Sequence, residues 1–348
     1  MSTIDQVPPP AVPAGNPRRD LAFRFAPRYR VVWIALAALI ILIAATASEV
    51  FRTDSLTLVT ALAGVLAIAS AGQLLVIMSG GIDLSVPAVV TFAAAIIVHQ
   101  TEGANGRLAG AVVEVIAITA GIGLIIGVLV AVVRLNAMIV TLAMNGVITG
   151  VMLLWIGTTF STTGQVPPNL SDLTARDVGF LSVVGIIAIA IILLLAAVLR
   201  STTVGRSYVA AGTNRVAAEI IGIRVVFYEV GGYMLAAIFY GIAGIFLAGL
   251  LTTPDFTVGD AYQLTTIIAV ALGGAALAGG PASLLCTMAG CVFVALLQQY
   301  LQAQSYSAGV SQLVNGLVLI LAVALVTAGS GGRIRQLTSR LTARFGHS

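Results

Sequence analysis

Lysine is absent from all 348 residues, so the 17 basic residues are all arginine. That absence removes chemistry. A nucleotide-binding P-loop needs its lysine at the phosphates, and Schiff-base catalysis needs a side-chain amine. Any ATP that powers this protein is therefore bound by another chain. Charge of either sign is scarce too: 9% of residues are charged and 59% hydrophobic, against about 25% charged in an ordinary soluble domain. A soluble globular protein is excluded, and nucleic-acid binding has no support. Cysteine is limited to Cys286 and Cys291, which are about 140° apart around a helix and so give no disulfide framework. Both read as small hydrophobes in a packed helix. His99 has no second ligand at metal-binding spacing, and no serine or carboxylate has a histidine partner inside an apolar run. No cofactor, metal site or catalytic residue is expected.

What the sequence does have is long apolar runs, at about 31–47, 58–78, 82–100, 108–133, 137–157, 179–199, 227–252, 262–279, 281–303 and 308–328. A membrane-spanning helix takes about 20 such residues. An outer-membrane barrel would alternate over about ten residues instead. The expectation is an all-α polytopic membrane protein of about ten transmembrane helices. Its permease domain covers 31–328, between a disordered tail at 1–30 and a basic tail at 329–348. The first tail holds Pro8, Pro9, Pro10, Pro13 and Pro17 with scattered charge and has no signal-peptide core. Ten crossings put both termini on one side. With that side cytoplasmic, 14 of the 17 arginines lie inside, leaving Arg52, Arg107 and Arg176 outside, as the positive-inside rule requires.

The apolar pattern breaks twice. At SGGIDLSVP, Gly80 and Gly81 interrupt the chain beside Asp83. A charge at mid-membrane costs about 2.5–3.5 kcal/mol even on lenient insertion scales, so Asp83 needs a partner or a polar cavity, with Gln73 and Ser85 nearby. The second break is LGGAALAGGPAS, containing Gly273, Gly274, Gly279, Gly280 and Pro281. Paired interruptions in two halves of a transporter point to a translocation site, and six intervening helices put both breaks toward the same face. The candidate pathway residues are Gln73, Gly80, Gly81, Asp83, Ser85, Asn145, Gly273 and Gly274. Gly123 with Gly127, and Gly146 with Gly150, have helix-packing spacing.

The inner 200–226 connection contains a short helix, Arg215 to Ile221, between Asn214 as N-cap and Gly222 as left-handed C-terminal residue. Two turns are too short to be stable alone in water, so the piece needs a surface to dock on. Its face is Ala217, Ala218 and Ile221.

Met78 to Val86 (MSGGIDLSV), Thr203 to Val225 (TVGRSYVAAGTNRVAAEIIGIRV) and Ala271 to Ala282 (ALGGAALAGGPA) resemble the signature segments of the permeases of ribose-, xylose- and arabinose-type ABC importers. The similarity runs in order from about 31 to 328. Pro87-Ala88 replaces the family's usual Gly-Ser, and Pro281-Ala282-Ser283 replaces its usual charged or glycine continuation. The resemblance implies a ten-helix permease in the bacterial cytoplasmic (inner) membrane, importing a monosaccharide by alternating access. It also implies two ATP-binding subunits inside, a second permease copy in a homodimer or heterodimer, and an extracytoplasmic sugar-binding protein. The ATPase-coupling residues would be Gly212, Asn214, Arg215, Ala217, Ala218, Glu219, Ile221 and Gly222. Two alternatives stand beside it: a proton-coupled secondary transporter using Asp83 or Glu114, and an ABC permease for an amino acid. For the orientation, a cysteine at Ser201 is expected to react with an impermeant maleimide only after the inner face is opened. One at Thr257 should react from outside.

Overall fold

The computed structural model describes residues 27–156, 165–251 and 254–329; the two expected tails lie outside these residues, except that the first helix starts at Pro27 and the last ends at Gly329. Helices α1 (Pro27–Thr46), α2 (Thr53–Met78), α3 (Val86–Thr101), α4 (Leu108–Ala131) and α5 (Ala137–Ile156) form the first part of the bundle. A short helix α6 (Pro168–Ala175) and a two-residue hairpin, β1 (Asp177–Val178) with β2 (Leu181–Ser182), lead into α7 (Val183–Ser201). The connection between the two halves holds α8 (Thr203–Thr213) and α9 (Arg215–Ile220). Then come α10 (Val225–Leu251), α11 (Ala261–Leu272), α12 (Leu284–Ala303) and α13 (Ala308–Gly329).

Each of the ten apolar runs carries a helix. Eight are long and apolar enough to cross a membrane, and the two shorter ones are α3 and α11. At 1.5 Å per residue these are about 24 and 18 Å long, against a hydrocarbon core of about 30 Å. The shortfall lies where the sequence breaks: α3 follows the first break and α11 precedes the second.

Helix α2 is the hub. Its apolar window is 94% buried, against 11% for α13, and it packs on α7, α10, α11 and α12. A helix apolar all round is expected to be enclosed on every side. Small residues allow the close approaches: at Gly64 an added Cβ would lie 2.9 Å from the Gly185 Cα of α7. Gly123 and Gly127 of α4 likewise press on the α10 backbone, whereas Gly146 and Gly150 of α5 face open space, so among the described residues only one of the two expected pairs packs. Gly64→Val should force α2 and α7 apart at a cost of about 1–3 kcal/mol. A lowered midpoint of thermal unfolding in detergent would register it, while Gly121→Val, whose Cβ position meets no atom within 4 Å, should leave the midpoint unchanged.

Candidate functional site

The first break is a backbone-accounting problem, because lipid cannot satisfy peptide groups freed from a helix. Here protein groups do it. Asp83 Oδ1 accepts from the Ser85 N–H at 2.8 Å and from the Ser85 hydroxyl at 2.6 Å. The Leu84 N–H donates to Thr141 Oγ1 at 2.9 Å and the Ala88 N–H to Asn145 Oδ1 at 3.2 Å. Thr141 and Asn145 are one turn apart on α5, so that helix caps the start of α3. Pro87 falls in the first turn of α3, where its missing N–H costs nothing, so this departure from the family pattern suits a helix start.

The break has a further neighbour. The Tyr240 hydroxyl donates to Gln73 Oε1 at 3.2 Å and lies beside Asp83. Tyr240 sits near the middle of the 27-residue α10. Gln73, Asp83 and Ser85 are all within 1% of complete burial. They lie inside the bundle, and Asp83 and Ser85 brace the break; none faces an open channel among the described residues. Gln73 Nε2 has no partner among the described residues.

The second break joins the first. Gly274, Gly279 and Gly280 take positive φ of 83, 96 and 104°, the left-handed region that favours glycine. The Gly280 N–H donates to the Met78 carbonyl at 2.9 Å, so both breaks lie toward the same face, as expected. Gly273 closes α11 against the Thr287 backbone of α12, and Gly274 packs on Arg28 and Tyr29. Ser283 caps α12 by accepting from the Cys286 N–H at 3.3 Å.

The 200–226 connection reaches the same junction. A Cβ at Gly212 of α8 would collide with the Met78 carbonyl oxygen, and one at Gly279 would lie 3.0 Å from the Gly212 carbonyl. Tyr208 of α8 donates to the Leu75 carbonyl at 2.6 Å, which leaves its oxygen to accept from the Ser79 hydroxyl at 2.9 Å. Burial raises the Tyr208 phenol well above its ordinary pKa, so it stays a neutral donor.

Helix α9 has its expected caps: Asn214 Oδ1 accepts from the Ala217 N–H at 3.1 Å, and Gly222 has φ 85°. It ends one residue early, at Ile220, and its expected face is split. Ala218 is 2% exposed and packs with Ala211 and Val225. The outward apolar face is Val216, Ala217, Ile220 and Ile221, with Ile220 80% exposed. The sequence offers Ala217 and Ala218 equally, and the tertiary contact picks one. Arg215 bonds Glu219 within α9 and Glu229 on α10.

Four residues that the sequence reading did not single out complete the site: Thr141, Tyr208, Tyr233 and Tyr240. A signal existed, since a tyrosine in an apolar run needs a hydrogen-bond partner, and Tyr233 and Tyr240 are seven apart on one helix face. Glu114, the alternative proton site, is half-buried and accepts from Gln100 Nε2 at 2.9 Å. Among the described residues no cluster could hold a metal ion.

An enclosed hub with two broken helices, joined to a short surface helix, belongs to a membrane permease. Residues 55–323 match the family described as the permease component of the branched-chain amino acid transport system, and the chain belongs to that family. It is 32% identical over 302 residues to the ribose import permease protein RbsC of Escherichia coli K12, covering 83% of this chain and 91% of that one. It is 27% identical over 288 residues to the autoinducer 2 import system permease protein LsrC of Salmonella typhi, covering 82% of each chain. It is also 28% identical over 272 residues to LsrC of Escherichia coli O9:H4, covering 78% of this chain and 79% of that one. No solved structure gives a significant match.

Asp83→Leu would strand the Ser85 N–H in the protein core, and an unsatisfied buried donor costs about 1–3 kcal/mol. It should abolish transport while the protein still reaches the membrane, and Asp83→Asn, which keeps an acceptor, should reduce transport in part. Uptake by Asp83→Leu at the parent rate would show that the brace is dispensable.

Proposed function

We propose that this chain is the membrane-spanning permease subunit of an ATP-driven ABC importer for a monosaccharide, seated in a bacterial cytoplasmic membrane with both termini inside. Two ATP-binding subunits dock on its inner face, a second permease copy completes the path, and an extracytoplasmic sugar-binding protein delivers the cargo. The observation that carries this reading is the 32% identity to a ribose import permease over 91% of that protein's length.

The inner connection supports the coupling assignment. Helix α9 turns Val216, Ala217 and Ile221 outward, uncovered by any of the described residues, Ile221 being 72% exposed. Behind it, α8 rests on the Met78 end of the first break and on Gly279 of the second. Push or pull on this connection therefore acts on both breaks through backbone contacts, which are stiff because no side chain can rotate to absorb the movement. In this reading Gly80, Gly81, Gly273 and Gly274 let the helix ends shift, and Gln73, Asp83, Ser85 and Asn145 keep the moving ends hydrogen-bonded.

The family's description names branched-chain amino acids, so cargo is the finer question. Transport into proteoliposomes containing the assembled importer, with D-ribose and L-leucine as competing probes, separates the two classes.

The docking assignment makes a split prediction for two neighbouring alanines. Ala217→Trp should lose co-purification with the ATP-binding subunits and leave the permease's thermal midpoint unchanged. Ala218→Trp should lower the midpoint as well, because a large side chain must fit against Ala211 and Val225. Normal association and hydrolysis with Ala217→Trp would sink the coupling assignment.

A further inference from the structure

Helix α9 hangs between two swivels. At Asn214 the backbone is extended, with φ −155°. Gly222 has φ 85°, and a Cβ there would meet no described atom within 4 Å. The seven residues between such joints would move freely unless tied sideways. Among the described residues there are two side-chain ties: the small Ala218 contact, and Arg215. The Arg215 Nε donates to Glu219 Oε1 at 3.1 Å, which fixes the guanidinium to its own helix. Its Nη1 donates to both oxygens of Glu229 on α10, at 2.8 and 2.7 Å. The Glu229 side chain is 15% exposed and that of Arg215 33%, so water screens this pair less than it would an open surface pair.

Glu229 begins a stripe on α10. Tyr233 and Tyr240 follow at four and eleven residues, within about 40° around the helix and about 17 Å along it. The Tyr233 hydroxyl presses on Gly81, and Tyr240 bonds Gln73 beside Asp83. One rigid helix thus joins the Arg215 contact to the first break.

We propose that the Arg215–Glu229 ion pair is the strut that delivers displacement of α9 to α10, and through Tyr233 and Tyr240 to the first break. Arg215 and Glu229 are positioning residues in this role, distinct from the outward docking face. The proposal rests on the reading of α9 as the ATPase-docking helix. The direct contacts of α8 with Met78 and Ser79 form a second route to the break, and Ala218 on Val225 and Tyr208 on Gly232 also touch α10, so the strut's own signature is the part of the α10 response that is lost when Glu229 loses its charge.

The test is hydrogen exchange by mass spectrometry on the complete importer in lipid nanodiscs, with and without trapping by ATP and orthovanadate. In the parent, trapping should change exchange in both 214–222 and 225–233. Glu229→Gln should keep the change in 214–222 and reduce that in 225–233 at least fivefold. The charge swap Arg215→Glu with Glu229→Arg should restore the response of 225–233 to within twofold of the parent. An undiminished response of 225–233 in Glu229→Gln, or a charge swap that assembles without restoring it, overturns the strut and leaves the docking assignment intact. A parent whose 214–222 segment does not respond to trapping overturns the docking assignment, and the strut with it. A Glu229→Gln complex that fails to assemble, repaired in assembly but not in response by the charge swap, makes the pair a folding contact and likewise overturns the proposal.

Discussion

A helix broken inside a membrane leaves peptide groups that lipid cannot hydrogen-bond, and the cost of each is several kcal/mol. That constraint organises this molecule. The first break has to be surrounded, so it lies against the enclosed hub α2 and is capped by side chains from several directions. Asp83 and Ser85 serve one another within the break, Thr141 and Asn145 reach in from α5, and Tyr208 comes up from α8. The second break supplies its own Gly280 N–H to the Met78 carbonyl. Polar groups that look costly in isolation are the acceptors and donors that make a non-helical segment tolerable inside the bundle.

The same constraint explains why the 200–226 connection lies so close. Bringing α8 against Met78 and Ser79 closes the break from one side, and only a glycine at 212 allows the backbones to approach that far. A connection that exists to cover peptide groups is also mechanically joined to them. Burial and coupling are then one piece of geometry: the contacts that exclude lipid from the break also pass on any force applied to the loop.

Stiffness is unevenly spread. Helix α2 buries 94% of its apolar window and α10 61%, whereas α5 and α13 bury only 22% and 11%. Apolar surface of that extent suits lipid or another membrane chain equally well. Helix α9 is the opposite case, a six-residue piece held by one alanine contact and one ion pair. Mobile parts of a transporter are expected to come from such weakly held elements.

The sequence alone determined the elements and their local chemistry. Run length fixed the apolar helices, the Gly-Gly and Gly-Gly-Pro clusters fixed where they stop, and Asn214 and Gly222 fixed the ends of α9, because each is set by neighbours along the chain. The need of Asp83 for a hydrogen-bonded partner was also legible, since its cost in lipid does not depend on the fold. Tertiary structure alone decided which partner residues meet. That Ala218 turns inward while Ala217 stays out, that Gly123 packs while Gly146 does not, and that Tyr208 meets Leu75 from 133 positions away are choices among equivalent small or amphipathic residues. Small residues permit close approach without specifying to what. The surroundings of Asp83 were settled in the same way, by Tyr240 on a helix more than 150 residues further along the chain. A hydropathy pattern records how apolar a segment is, and the height at which two segments pass each other is fixed only when their side chains interlock.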